Sequence, residues 1–177
     1  MPYLHTMYSY EELSTSRLAL RRLRTDDLQA IFALRSDEAV CRYIDRPVIQ
    51  HADEAAAFIE RIVNGYANND IYYWALTPKE GQDLIGTICL WNFSADGTVA
   101  EVGYEMLPMH HGKGYMHEAL AAISQYCFNT LGLTAIEAFT HHANTASRQL
   151  LERNGFILCE GRVDPDVTAN VIYKKGR

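Results

Sequence analysis

The chain has 177 residues, 48% hydrophobic and 21% charged, enough to bury one core without a metal or disulfide framework. A formal charge of -6 argues against a protein that coats nucleic-acid phosphates, which would want a basic face. Cys41, Cys89, Cys127 and Cys159 are scattered singly, with neither zinc spacing nor a secreted disulfide pattern, and no leader-like or membrane-length apolar run occurs. A cytoplasmic protein with no nucleic-acid or membrane partner is expected.

Met1 to Thr15 is polar and aromatic without a period and reads as an N-terminal arm; residues 16–177 read as a single domain. Ser16 to Leu23 alternates Leu18 and Leu20 against Arg17, Ala19 and Arg21, the pattern of a half-buried strand. Thr25 offers an N-cap hydroxyl and Asp26 and Asp27 suit a helix N-terminus, so a first helix starts near Asp26. Ala52 to Tyr66 repeats Ala55, Phe58, Ile59, Ile62, Val63 and Tyr66 at helical spacing. The period then becomes two over Ile71–Thr77, Leu84–Asn92 and Thr98–Leu107, with turn formers between them, which predicts an antiparallel meander. Ala119–Leu131 is helical, Thr134–Thr140 a strand, Thr145–Arg153 a helix capped by Gly155, and Phe156–Gly161 and Val167–Lys174 the last strands. The order predicts one mixed α/β domain.

The third meander strand ends in Pro108-Met109-His110-His111-Gly112-Lys113-Gly114-Tyr115 and passes into a helix. Gly112 and Gly114 let the backbone turn tightly and approach a ligand, and the first amides of the helix form an anion site beside the cation of Lys113. A strand-to-helix turn using glycine for geometry alone is the other reading, and spacing does not decide between them.

Taken together, Arg17-Leu18-Ala19-Leu20-Arg21, Leu84-Ile85-Gly86, Glu101-Val102-Gly103-Tyr104, Gly112-Lys113-Gly114-Tyr115-Met116-His117-Glu118-Ala119, and Asn144-Thr145-Ala146-Ser147 followed by Gly155-Phe156 resemble the GCN5-related N-acetyltransferases (GNAT), in their ribosomal-protein N-terminal acetyltransferase (RimJ/RimL-like) branch. The resemblance runs from about Ser16 to the C-terminus. It implies the GNAT acyl-CoA N-acyltransferase fold: a mostly antiparallel sheet of about six or seven strands splayed around the cofactor and flanked by about four helices. It also implies transfer of the acetyl group of acetyl-CoA to a primary amine, of a protein N-terminus, a polyamine or a small metabolite, by direct attack in a ternary complex. Met109 departs from the Gln or Arg frequent in the family at that place. An acyl-CoA-binding sensor that kept the groove and lost catalysis is the alternative, and oligomeric state has no readable sign.

By that resemblance pantetheine enters between Thr98–Leu107 and Thr134–Thr140, the backbone of Met106 and Leu107 pairs with it, and Gly112, Lys113, Gly114 and Tyr115 hold the pyrophosphate. Asn144 corresponds to the family asparagine that bonds pantetheine, the role preferred here, while its residue type also suits the N-cap of the next helix. Glu101 corresponds to a glutamate frequent in the branch, in the role of base for the amine; a solvated strand-face carboxylate is its other reading. Glu105 is more generic. The tyrosine that many relatives place seven residues after the asparagine is Leu151 here. Ser147 therefore stands as the candidate proton donor to the departing thiolate, against a plain first-turn serine. Arg148 and Arg153 either reach a CoA phosphate or remain solvated. His110-His111 and His141-His142 follow the two parting strands; adjacent histidines are poor joint ligands, so no metal is expected and a pocket role for His110 or His142 is preferred. Tyr72, Tyr73, Trp74 and Trp91 read as core or pocket wall, core being preferred.

Overall fold

The computed structural model describes residues 10–67 and 71–177. Residues 1–9 of the expected arm lie outside these, but its end belongs to the fold. Tyr10 is buried and stacks on Trp74 with ring centroids 5.1 Å apart. Leu13–Ser14 (β1) pairs antiparallel with Leu18–Arg21 (β2), whose Leu18 and Leu20 are fully buried as their alternation predicts.

The first helix, Leu28–Ser36 (α1), is entered through a 3-10 turn at Thr25–Asp27. Thr25 lies within that turn and does not cap it. The acceptor is the Asp27 carboxylate, bound by the Arg24 amide at 2.8 Å and paired with Arg21 at 2.7 Å. A short helix absent from the sequence pattern, Glu38–Cys41 (α2), follows, with the Asp37 side chain accepting from the Val40 amide. Then come Ala52–Ala67 (α3), the meander Tyr72–Pro78 (β3), Gly86–Trp91 (β4) and Val99–Met106 (β5), and Tyr115–Asn129 (α4). Ala135–His141 (β6), Thr145–Arg153 (α5), Ile157–Leu158 (β7) and Asn170–Gly176 (β8) complete the chain.

Three boundaries differ from expectation for local reasons. Helix α4 starts at Tyr115 because Gly114, at φ +79°, turns the chain directly into it. Strand β7 keeps two residues because Phe156 turns into the core and Gly161 adopts a left-handed φ of +77°. Strand β8 starts late because the Asp164 carboxylate accepts the amides of Asp166 and Val167 and holds them in a turn.

One eight-stranded sheet results among the described residues, in the order β1-β2-β3-β4-β5-β6-β8-β7, where about six or seven strands were expected, and five α-helices flank it where four were expected. All pairs are antiparallel except β5 and β6, joined by the α4 crossover. Adjacent residues of β3 identify the two faces. Tyr73 meets Phe58 of α3 edge-on at 5.6 Å, while Trp74 meets Tyr126 of α4 at 5.6 Å. Cross-strand register carries that assignment to β5: Tyr73, Cys89 and Gly103 share the α1/α3 face, and Trp74, Ile88 and Tyr104 the α4 face. No helix among the described residues is long and apolar enough to cross a membrane.

Candidate functional site

Strands β5 and β6 pair at Val99–Ala135, Ala100–Ile136 and Glu101–Glu137, then part, although β5 runs on to Met106 and β6 to His141. Beyond the fork β6 is paired, among the described residues, with β8 alone. The parting leaves one edge of β5 without a partner strand. The Leu107 amide donates to Ile85 at 3.0 Å and its carbonyl accepts from His110 at 2.9 Å, so both Leu107 groups are committed within the fold. Backbone alternation turns the Met106 groups to the other edge, into the gap. The Met106 carbonyl meets His111 Nε2 at 2.8 Å, which leaves its amide as the donor aimed at the gap.

The turn after β5 is built for backbone approach. Gly112 and Gly114 have φ of +73° and +79°, and a Cβ on Gly112 would meet nothing within 4 Å. Gly114 is the N-cap of α4 and no side chain satisfies the first amides, so an anion is their natural partner. Lys113 is exposed and Tyr115 half-buried beside them.

A clasp that sequence reasoning missed fixes this turn. The Glu118 carboxylate, in the first turn of α4, accepts from the Thr15 and Ser16 hydroxyls, the Arg17 amide at 2.8 Å and Arg17 Nε at 2.7 Å. Burial alone would raise its pKa; these four donors outweigh burial and hold it at about 2. The same guanidinium donates to the Lys113 carbonyl at 2.9 Å and lies 4.7 Å over the Tyr115 ring. Arg17 and Glu118 lie in two of the motifs, about a hundred residues apart, and no local pattern links them.

On the α4 face, Tyr104 and Ser147 meet hydroxyl to hydroxyl at 2.8 Å. Burial first of all raises the Tyr104 pKa, so this phenol stays neutral. Asn144 Oδ1 accepts the Ser147 amide at 3.1 Å and caps α5, leaving its side-chain nitrogen as the remaining donor. Arg148 is committed to Tyr173 and the His142 carbonyl.

On the α1/α3 face, Glu101 sits at the last paired position before the fork. Burial raises its pKa most, the 3.3 Å hydrogen bond from Asn92 opposes this, and Asp164 and Glu137 raise it further, to about 7. Glu137 itself is paired with Arg162 at 2.6 Å and Lys174 at 3.5 Å. Gly103 contributes no side chain between Glu101 and Glu105, and the floor there is Cys89, whose thiol burial pushes up to about 12. Glu105, which the sequence left unassigned, pairs with Arg46 at 2.7 Å and lies 3.9 Å from Arg35. Tyr43 packs on His141 of β6 at 5.3 Å, so the segment from Tyr43 to Arg46 is pinned to both parted strands.

The remaining expectations divide. Trp74 is fully buried and Tyr73 buried, but Trp91 is 54% exposed beside Glu101. His141 and His142 stack at 4.6 Å, and burial, then Lys113 and His111, push the His110 pKa down. Among the described residues no three His, Cys, Asp or Glu side chains converge as metal ligands. All four cysteines are free. A cavity of about 560 Å³ lined by Glu12, Arg22, Leu23 and Tyr66 shares no residue with the fork.

A family model for the acetyltransferase (GNAT) domain matches residues 17–157. The chain belongs to the GNAT acetyltransferase family. The N-acetyltransferase YoaA of Bacillus subtilis is 33% identical over 144 residues, 81% of each chain. The GNAT acetyltransferase of Bacillus anthracis superposes with a TM-score of 0.82 at 22% identity, over 94% of this chain and 98% of that one. RimL, a ribosomal L7/L12 alpha-N-protein acetyltransferase in complex with coenzyme A, superposes with a TM-score of 0.79 at 15% identity, over 94% and 98%. At those identities the two structures establish the fold. The chain is thus an acetyl-CoA-dependent N-acetyltransferase with the open GNAT sheet.

Proposed function

We propose that this GNAT enzyme acetylates a primary amine by direct attack in a ternary complex, with acetyl-CoA in the β5–β6 fork and the amine on the α1/α3 face. The observation that carries the reading is the parting of β5 and β6 immediately after Glu101, a carboxyl whose pKa lies at about 7. Acetyl-CoA supplies an activated thioester. The free edge of β5 suits its pantetheine arm, with the Met106 amide as donor, and the uncapped start of α4 with Gly112, Lys113, Gly114 and Tyr115 suits its pyrophosphate. The pairing expected of Met106 and Leu107 together is assigned to Met106, because the Leu107 amide and carbonyl are already bonded.

Glu101 takes a proton from the incoming ammonium, directly or through water. A carboxyl with pKa at about 7 is a stronger base than an ordinary glutamate and is about half ionised at neutral pH. As the amine nitrogen bonds the carbonyl carbon and the carbon–sulfur bond breaks, the thiolate receives a proton from the Ser147 hydroxyl or from water. With Tyr104 as the donor in its 2.8 Å contact with Ser147 Oγ, the serine proton is left for the sulfur, which makes Tyr104 a positioning residue. Asn144 orders the same turn and keeps an amide nitrogen for pantetheine.

The test is release of free CoA across N-terminal peptides, polyamines and amino-acid-like amines, with the acetyl-CoA shift in melting temperature measured in parallel. Saturable binding with no turnover on any amine refutes the catalytic reading. Absence of both binding and turnover refutes the site.

A further inference from the structure

The acceptor face carries opposite charge surpluses at its two ends. At one end Arg35 and Arg46 share a single carboxylate, Glu105, which is the one acid among the described residues within 4 Å of either. Arg46 is the close partner at 2.7 Å, while Arg35 stands off at 3.9 Å and stacks 4.0 Å over Phe58. Arg35 Nε and Arg46 Nε are both buried without a hydrogen-bond acceptor. Burial, and after it the charge of Arg46, lowers the Arg35 pKa despite Glu105, and Arg61 repels it further. A half-buried guanidinium with no carboxylate of its own is costly, and a bidentate anion relieves that cost.

At the other end, Glu101 has the mirror-image deficit. Its neighbours are Asn92, Asp164 and Glu137, and among the described residues no cation lies within ion-pair distance. Asp164 is occupied by the amides of its own turn and by Asn170, and Glu137 by Arg162 and Lys174. Between the two ends Gly103 carries no side chain, and Cys89 Sγ and Trp91 Nε1 border the space its Cβ would take. Glu101 and Glu105 are four strand steps apart, about 13 Å between backbones, and side chains reaching inward from both ends shorten that span.

We propose that the acceptor is a small molecule carrying a primary amine at one end and a carboxylate at the other, the amine directed to Glu101 and the carboxylate to Arg35 and Arg46. This rests on the acetyl-transfer reading for the direction of the amine and narrows it, since polyamines would bring a second cation to the arginines. A single arginine would suffice to pin the Tyr43–Arg46 segment to Glu105; the second is surplus to that task.

Calorimetric binding to the full chain saturated with CoA, which cannot react, tests the proposal with 5-aminopentanoate, 5-aminopentanamide and 1,5-diaminopentane. The carboxylate should bind about tenfold or more tighter than the amide, the gain expected of a charge-assisted contact, and the diamine should bind weakest. Arg46→Gln should erase most of the difference between acid and amide. Glu105→Gln, which frees both guanidiniums, should widen it, and no folding defect yields opposite signs in these two variants. Equal affinities, no binding of any of the three, or a preference unchanged in both variants would overturn the proposal. Turnover separates it from acetyl transfer itself: all amines acetylated with equal KM refutes only the carboxylate, whereas selective binding without turnover refutes only the transfer.

Discussion

Replacing Glu101 by glutamine separates two consequences of a carboxyl held above its ordinary range. Burial, partly offset by Asn92 and reinforced by Asp164 and Glu137, moves its pKa from 4.5 to about 7. The folded chain therefore binds this proton more tightly than the unfolded chain does. Ionising it between pH 4.5 and 7 costs the native state free energy, with the whole cost present above pH 7. That span corresponds to an upper value of about 3 kcal/mol, and because the side chain keeps contact with solvent roughly 1–2 kcal/mol is the expected size. Glutamine has the same shape and no charge to desolvate. The variant should match the parent near pH 4.5 and melt roughly 2–8 °C higher above pH 7, since 1 kcal/mol moves the Tm of a chain this long by about 2–4 °C.

Activity should move the opposite way. Loss of a general base costs on the order of 100-fold in kcat, and the limb of the pH–rate profile near 7 should vanish with it. Paired thermal melts from pH 4.5 to 8.5, with CoA release over the same range, measure both. A Tm difference that does not change with pH would refute the desolvation argument, and an acidic limb that survives in the variant would refute the assignment of the base.

Three further expectations follow from the cofactor side. Gly114→Ala forces a left-handed φ on alanine and sets its Cβ 3.3 Å from Arg17 Nη2; it should cost about 1–2 kcal/mol of stability and weaken acetyl-CoA in calorimetry. Glu118→Gln should flatten the acid side of the stability profile: with a folded pKa of about 2 against 4.5, the parent's Glu118 contribution is complete above pH 4.5 and lost as pH falls through 2, which circular dichroism during acid titration will read. Tyr104→Phe removes the hydroxyl that orients Ser147 and should lower kcat about two- to tenfold with KM for acetyl-CoA unchanged; a rise in that KM alone would make the contact structural.

The elements that build the fork were legible because each repeats a local period. The meander strands read from alternation, α3 from its apolar stripe, and α5 with Gly155 at its end. The extent of α4 was harder, since Met116 to Glu118 show no stripe and only the left-handed Gly114 marks the start. Strand β1 has two residues, too few for any period, and is defined by its neighbour Leu18–Arg21. The ion pairs were invisible for the same physical reason. Glu105 reads as a strand carboxylate until α1 and the segment after α2 bring Arg35 and Arg46 onto it, and Glu118 as a helix-start acid until β2 brings Arg17. Leu107 shows the limit at finer grain: the motif locates the strand end, but which of two consecutive residues turns its amide to the gap depends on pairing parity with Ile85.

That parity is also what divides the labour of β5. In a pleated strand successive side chains alternate in face, so Glu101, Gly103 and Glu105 project toward α1 and α3 while Val102, Tyr104 and Met106 project toward α4. Backbone groups alternate between edges in step, so the residues facing α4 are also those whose amides open onto the fork. A one-residue slip of β5 against β4 would exchange every one of these assignments, bringing Glu101 into the core beneath α4 and withdrawing the Met106 amide. The six paired positions from Gly86–Met106 to Trp91–Glu101 set that register, and Gly86 secures it by close packing: a Cβ there would lie 2.6 Å from the Glu105 carbonyl. The leucine-isoleucine-glycine run that leads into β4 thus determines, in the proposed arrangement, which face meets the amine and which edge meets the cofactor.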